Sequence, residues 1–404
     1  MPASPAPRLS PWLALLFSVA CALAVANVYY AQPLLDAMAR GFAIDPALVG
    51  LVVTLTQVGY GLGLILLVPL GDLFERRRLI VLQSLLSVLA LLMIALATSS
   101  AWLFVGMALT GLLAVVAQLL VAHAASVSAD TERGHVVGMV TSGIVIGILL
   151  ARTLSGAMAD LAGWRSIYAL SAALTLLMTL LLWRVLPAHT AARPNTGYGA
   201  LLVSLWQLVR EQPVLRQRAL LAMLSFASAM VLWTPLVLPL SAPPLSLSAT
   251  EVGLFGLAGA AGALAAARAG GLADRGLGQR VSGLSLLLMI GSWGAIALTQ
   301  QSLWALLLGV VVFDLGLQAL HVASQSLIYR LPADTHSRLT AAYMLFYSIG
   351  SALGSLASTL AYAWGGWLLV CVLGAGLNVL ALGYWWRTVR QPAQNCTSSI
   401  TLSR

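Results

Sequence analysis

Residues 303–328 read LWALLLGVVVFDLGLQALHVASQSLI, twenty-six positions with one formal charge, Asp314. At about 1.5 Å of rise per residue, a helix needs about 20 apolar residues to cross the hydrocarbon layer, and this stretch is long enough. Much of the chain reads the same way. Of its 404 residues 60% are hydrophobic and 8% charged, and mean hydropathy is +0.95. Soluble domains carry about 45 to 50% and about 25% respectively. The apolar residues run the whole length, so the bilayer is the main solvent and the expected fold is an all-α integral membrane protein. That composition excludes a soluble enzyme, a disulfide-built secreted domain and a disordered chain.

Division at charges, Gly/Pro clusters and polar turns gives twelve spans, near 11–35, 47–69, 79–98, 102–124, 136–157, 166–184, 217–240, 250–268, 281–299, 303–328, 339–361 and 366–386. A cleaved signal peptide ending at Ala26 competes for the first span, but the apolar run continues to Leu35. All 21 cationic residues are arginine, and 18 of them fall on one alternate set of loops and tails. Arg40 and Arg165 fall on the other side and Arg152 inside the fifth span. By the positive-inside preference both termini are cytoplasmic, and the net charge of +9 calls for no nucleic acid. Cys21, Cys371 and Cys396 form no disulfide framework and no metal-ligand spacing, so neither metal nor cofactor is expected.

The two halves repeat at an offset near 202. Pro33 matches Pro235 and Asp72 matches Asp274; with a small drift, 129–131 match 333–335 and Gly163-Trp164 matches Gly366-Trp367. The expected organisation is a six-helix bundle in 1–187, a linker in 188–216 with an interfacial helix carrying Leu201, Leu205 and Leu208 on one face, a second bundle in 217–386 and a cytoplasmic tail in 387–404. Two similar bundles rocking about a midplane cavity make a transporter's architecture, functional as a monomer.

The loop after the eighth span, with Gly270, Leu272, Ala273, Asp274, Arg275 and Arg280, resembles a signature of the major facilitator superfamily. Its N-terminal copy is divergent, keeping Leu70, Asp72, Arg76 and Arg77. The resemblance extends over essentially the full length and implies twelve helices in two pseudo-symmetric bundles, with these loops latching the cytoplasmic ends. The fifth span, with Gly147, Ala151, Arg152, Ser155 and Gly156, resembles the pattern of proton-coupled drug exporters, although Arg152 stands where that pattern has proline. The run 27–35, NVYYAQPLL, looks like that of a bacterial subgroup of the exporter branch. The exporters' arginine in the fourth helix is replaced by Met107.

Charges inside spans are costly, about 2.5 to 3.5 kcal/mol on insertion scales, and mark function. Asp314, Gln318, His321 and Gln325 recur at spacings of four, three and four, on one helical face near the midplane. Asp314 is the expected site of the coupling proton and His321 its relay; the alternative is a buried pair held by neighbouring helices. Asp36 is the expected counter-charge of Arg152 near the outer surface, as a gate or as simple neutralisation. In the superfamily spans 1, 4, 7 and 10 line the cavity, which implies Asn27, Tyr30, Gln118, Trp233, Thr234 and Gln318 as lining residues. An aromatic and amide surface with one acid suits a small amphipathic or hydroxylated solute. No Walker loop exists without lysine, and the histidines have no ligand-like spacing, so neither ATP hydrolysis nor enzymatic catalysis is expected. The expected activity is proton-coupled efflux of a small drug-like, sugar or nucleoside-like solute. Proton symport or facilitated diffusion is the alternative within transport, and an enzyme or sensor on the same scaffold the alternative outside it.

Overall fold

A computed structural model of the chain describes residues 11–128, 133–186, 197–259, 262, 268–331 and 336–390. Every regular element among them is helical. In chain order these are α1 (Pro11–Tyr29), α2 (Leu51–Leu66), α3 (Arg76–Ala95), α4 (Ser100–Val127), α5 (Arg133–Ala162) and α6 (Arg165–Val185). After the linker helix Tyr198–Glu211 come α7 (Pro213–Trp233), α8 (Ala249–Leu254), α9 (Gly278–Ala297) and α10 (Leu303–Ile328). The last helix, His336–Arg390, changes direction at Gly365 and Gly366, giving α11 (336–364) and α12 (367–390). Nine helices among the described residues are long and apolar enough to cross a membrane. The bend in the last of them, the shorter apolar α2 and the segment beginning with α8 bring the architecture into line with twelve crossings.

Short polar signals set the turns. Ser99 and Ser302, 203 positions apart, cap α4 and α10 by accepting from the backbone N–H of Trp102 and Ala305. Gly163 and Gly366, matched in the sequence repeat, both have positive φ, 81° and 62°, at the turns into α6 and α12. The packing repeats too. A Cβ on Gly106 would meet the Ile94 side chain at 2.7 Å, and one on Gly309 would meet Ile296 at 2.6 Å, so α3–α4 and α9–α10 are equivalent close contacts. Gly143 and Gly147 bring α5 against α1 at Ser18 and Ala22; Gly350 and Gly354 bring α11 against α7 at Met223 and Ala227.

The first, seventh and eighth crossings depart from the expected continuous helices, the seventh breaking after Trp233 and resuming as Val237–Ser241. The first is not a continuous helix to Leu35: α1 ends at Tyr29, a 3-10 turn spans Gln32–Leu34 around Pro33, and a short helix Leu35–Phe42 follows. Proline lacks an N–H and crowds the preceding turn, which explains the break. The eighth is not a plain α-helix, because Phe255–Gly259 is 3-10. Glycines 253, 256 and 259 recur at the 3-10 period of three from the end of α8 through this turn.

The two bundles meet through α2 against α11 and α5 against α8. At the arginine-poor end they are tied together by hydrogen bonds. Thr54 donates to the Ala352 carbonyl (3.3 Å), Thr359 to that of Ala47 (3.0 Å) and Thr153 to that of Gly253 (3.1 Å). Asp160 on α5 accepts from the Ala249 and Thr250 backbone N–H groups and from the Thr250 hydroxyl. At the arginine-rich end Arg76 donates to the carbonyls of Gly71 and Ala122, Arg77 to Trp183 and Arg330 to Ala273, all within one bundle. Residues 26–35 and 225–237 are buried throughout, whereas 22–25, Met223, Leu224, His321, Val322 and Gln325 are half-buried. The space between the bundles therefore narrows to a close at the arginine-poor end and widens toward the arginine-rich end.

Candidate functional site

Where that space closes, a guanidinium of one bundle and a carboxylate of the other meet on one indole. The ring of Trp233, the last residue of α7, lies 3.9 Å from the guanidinium carbon of Arg152 on α5, a cation–π contact. The indole N–H of the same residue donates to Asp314 Oδ1 on α10 at 3.4 Å. Arg152 Nε donates to Gln32 Oε1 at 2.5 Å, and its guanidinium also lies 5.3 Å from the centre of the Tyr29 ring. Gln32 sits on the 3-10 turn that follows α1, and its amide N–H reaches Met230 Sδ at 3.6 Å. Arg152 is 5% exposed and Asp314 8%. The two charges interact through space, but they make no direct ion pair, and Trp233 stands between them.

A second chain of contacts runs from this centre toward the wide end. Tyr29 and Tyr347 share a 2.7 Å hydroxyl–hydroxyl hydrogen bond. The Tyr347 ring packs 4.0 Å from Phe226, which lies edge-on 5.4 Å from His321. His321 Nδ1 is hydrogen-bonded to the Tyr343 hydroxyl at 3.0 Å. Gln318 faces the segment that follows α8, where a Cβ on Gly262 would lie 2.9 Å from its side chain.

The glycines of α8 and of the 3-10 turn after it make room for the centre. Gly256 lies against the methylenes of Arg152, where a Cβ would come within 2.9 Å. At Gly259 a Cβ would stand 3.1 Å from Asp314 Oδ2 and 3.0 Å from Leu149. Gly253 meets the Arg152 backbone directly.

The remaining expected residues fall elsewhere. The Asp36–Arg152 pair is corrected: Asp36 forms an ion pair with Arg40, one turn on in its own short helix, while the break at Pro33 brings Gln32 to Arg152. Asn27 accepts from Ser171 on α6 (2.6 Å) and lines a pocket inside the N-terminal bundle with Ser84, Ser87, Thr110 and Thr179. That pocket encloses about 20 Å³, room for about one water. Tyr30 packs edge-on to Tyr168 of α6, and Thr234 donates to Ser355 of α11 (3.2 Å). Gln118 donates to the Tyr60 hydroxyl at 3.4 Å. Of the helix-5 pattern, Gly147 packs on α1, Ala151 and Ser155 are buried, and Gly156 meets α8. Arg275 and Arg280 are exposed and Gly270 half-buried; the side chains of Asp72 and Asp274 lie outside the described residues. Tyr29, Gln32, Phe226 and Met230 were missed, although Tyr29 and Gln32 flank the one proline that interrupts the first span. No group of histidine, cysteine and acidic side chains suited to a metal occurs among the described residues.

The family model of the Major Facilitator Superfamily matches residues 15–296 and 219–401. The chain belongs to the major facilitator superfamily. This major facilitator chain is 47% identical over 389 residues to the "uncharacterized transporter YgaY" of Escherichia coli O157:H7, covering 96% of the chain and 98% of that relative. It is 23% identical over 365 residues to a protein of Helicobacter pylori named "probable sugar efflux transporter", covering 88% and 89%. Among solved structures, it matches a bacterial homolog of the human lysosomal transporter Spinster, inward-facing and unoccupied, with a TM-score of 0.77 at 16% identity over 94% of this chain and 96% of that one. The protein is thus a multi-pass membrane transporter of small solutes.

Proposed function

We propose that the chain exports a small organic solute in exchange for protons, by alternating access, with Asp314 as the proton site. The observation that carries this reading is the Asp314–Trp233–Arg152 bridge. A carboxylate of the C-terminal bundle and a guanidinium of the N-terminal bundle meet through one indole where the cavity closes. A buried carboxylate beside a buried guanidinium is neutral as a set; adding a proton to the carboxylate leaves a net positive charge, so protonation changes how the two bundles hold each other. His321, hydrogen-bonded to Tyr343 nearer the wide end, relays the proton. The arginine-rich end is cytoplasmic, with both termini on that side of the inner membrane. Outward direction draws its support from the helix-5 pattern and from the name of the Helicobacter relative.

The test uses everted membrane vesicles energised to an acid interior. Drugs, sugars, nucleosides and amino acids are added singly, with wild type beside Asp314→Asn. Solute-dependent proton release in wild type alone is the expected result. Release that is equal in the variant would remove Asp314 from the coupling step, and solute uptake into right-side-out vesicles driven by an inward proton gradient would reverse the direction.

A further inference from the structure

The centre holds two opposite charges that do not satisfy each other. Arg152 spends its Nε on Gln32 and its face on Trp233. Among the described residues no acceptor engages its two terminal nitrogens, and no donor engages Asp314 Oδ2. None of these three atoms is both fully buried and unpartnered, so each keeps some accessible surface. A buried guanidinium and carboxylate on facing helices would ordinarily close into a bidentate pair, which recovers most of the desolvation cost. Here the indole holds them apart. The gap beside Arg152, lined by Gln32, Pro33, Trp233, Leu236, Val237 and Val252, encloses about 10 Å³, no more than about one water. Gly256 and Gly259 keep side chains of the 3-10 turn after α8 out of the same region.

We propose that this split pair takes a zwitterionic solute of the α-amino-acid type, its carboxylate on the terminal nitrogens of Arg152 and its ammonium on Asp314. The inference rests on the transport reading above and names its substrate class. A guanidinium edge offers two parallel N–H donors to a carboxylate, and a carboxylate oxygen accepts from an ammonium; a solute carrying both groups fills both vacancies and adds no net charge. It enters from the wide end, sets its ammonium on the vacant Oδ2 of Asp314 beside the Trp233 N–H on Oδ1, and lies against the aromatic wall of Trp233, Tyr29, Tyr347 and Phe226. The titratable and charged groups around Asp314 are Arg152 from α5, Tyr29 from α1, Tyr347 from α11 and, along its own helix, His321. A protonated Asp314 presents no charge to the ammonium, so proton and solute exclude each other, as exchange requires.

The experiment measures binding to the purified full chain in nanodiscs, without a gradient, using two matched sets of probes. One set is phenylalanine, 3-phenylpropionate and 2-phenylethylamine; the other is leucine, 4-methylpentanoate and 3-methylbutylamine. Wild type is expected to bind the zwitterion of at least one set at least tenfold more tightly than either singly charged analogue. Asp314→Asn is expected to lose the preference for the zwitterion over the carboxylate, and Arg152→Gln the preference over the amine, with melting curves reporting that each variant is folded. Equal binding of the carboxylate-only probe to wild type, or no binding of either zwitterion, would overturn the inference. So would variants that lose overall stability yet keep the wild-type order of preference. Because no proton gradient enters this assay, a zwitterion site without proton exchange in vesicles would sink the transport reading alone, and the reverse would sink the substrate class alone.

Discussion

Replacing Asp160 by alanine is expected to open the arginine-poor end. Asp160 stands at the arginine-poor end of α5 in one bundle and receives the first two backbone N–H groups of α8 in the other, Ala249 at 3.3 Å and Thr250 at 2.7 Å, together with the Thr250 hydroxyl at 2.5 Å. The next N–H, that of Glu251, goes to Ser248 Oγ, and Glu251 returns a carboxylate to the Ser248 N–H. The first two donors of α8 therefore have a protein acceptor only while the bundles touch. A capping carboxylate is worth about 1 kcal/mol, up to about 2, and interaction with the helix dipole adds a fraction more. The site is exposed, so water replaces part of this, leaving about 1 to 2 kcal/mol, a factor of about 5 to 30 in the closed-to-open ratio. The assay is labelling of Val252→Cys, buried beside Arg152, by a membrane-impermeant thiol reagent in a background lacking the three native cysteines. With reclosing faster than labelling, the rate follows the open fraction. Asp160→Ala is expected to raise it about 5- to 30-fold, and Asp160→Asn, which caps nearly as well, to stay within about threefold of the parent. An unchanged rate in the alanine variant, or an equal rise in the asparagine variant, would refute the latch.

Trp233→Phe keeps a ring beneath Arg152 but removes the donor to Asp314; a hydrogen bond to a charged group is worth about 1.5 to 3 kcal/mol, so solute flux in vesicles is expected to fall at least tenfold with the melting temperature little changed. Gly259→Ala sets a methyl 3.1 Å from Asp314 Oδ2 and 3.0 Å from Leu149 and is expected to cut flux severalfold, whereas Gly291→Ala, with open space around its Cβ position, is expected to leave it unaltered. Arg152→Ala leaves Asp314 buried without its counter-charge and is expected to destabilise by about 3 to 5 kcal/mol in denaturation, while Asp36→Ala removes only a surface pair worth at most about 1 kcal/mol. The double variant is expected to show the sum of the two effects, and rescue of Arg152→Ala by Asp36→Ala would contradict the assigned partners.

The spans, the repeat and the presence of a buried charge at Asp314 were legible because each rests on a local rule. An apolar run of bilayer length, a glycine at a turn with positive φ, and a charge inside hydrocarbon can each be read from a few residues. The partners of Arg152 could not be read that way. A charge invites the search for an opposite charge, and Asp36 was the nearest in sequence, but Pro33 breaks the helix and brings Gln32 to the guanidinium instead, while Arg40 takes Asp36. The same local geometry turns Asn27 and Tyr30 toward α6 and leaves Tyr29 facing α11. Glycines 253, 256, 259 and 262 were visible as a spacing of three, yet in a membrane helix small residues serve packing of many kinds. Only the 3-10 geometry of Phe255–Gly259 and the nearness of Arg152 and Asp314 show what that face accommodates.

The central claim, that solute displaces a proton from Asp314, is tested most directly by the stoichiometry of proton release. Purified protein in weakly buffered solution is titrated with a solute that scores in the vesicle panel, from mildly acidic to mildly alkaline pH, with bound solute counted in parallel. Up to one proton per solute bound is expected from wild type and none from Asp314→Asn at solute concentrations that saturate it. Undiminished release from Asp314→Asn, or none from wild type with the solute demonstrably bound, would contradict it.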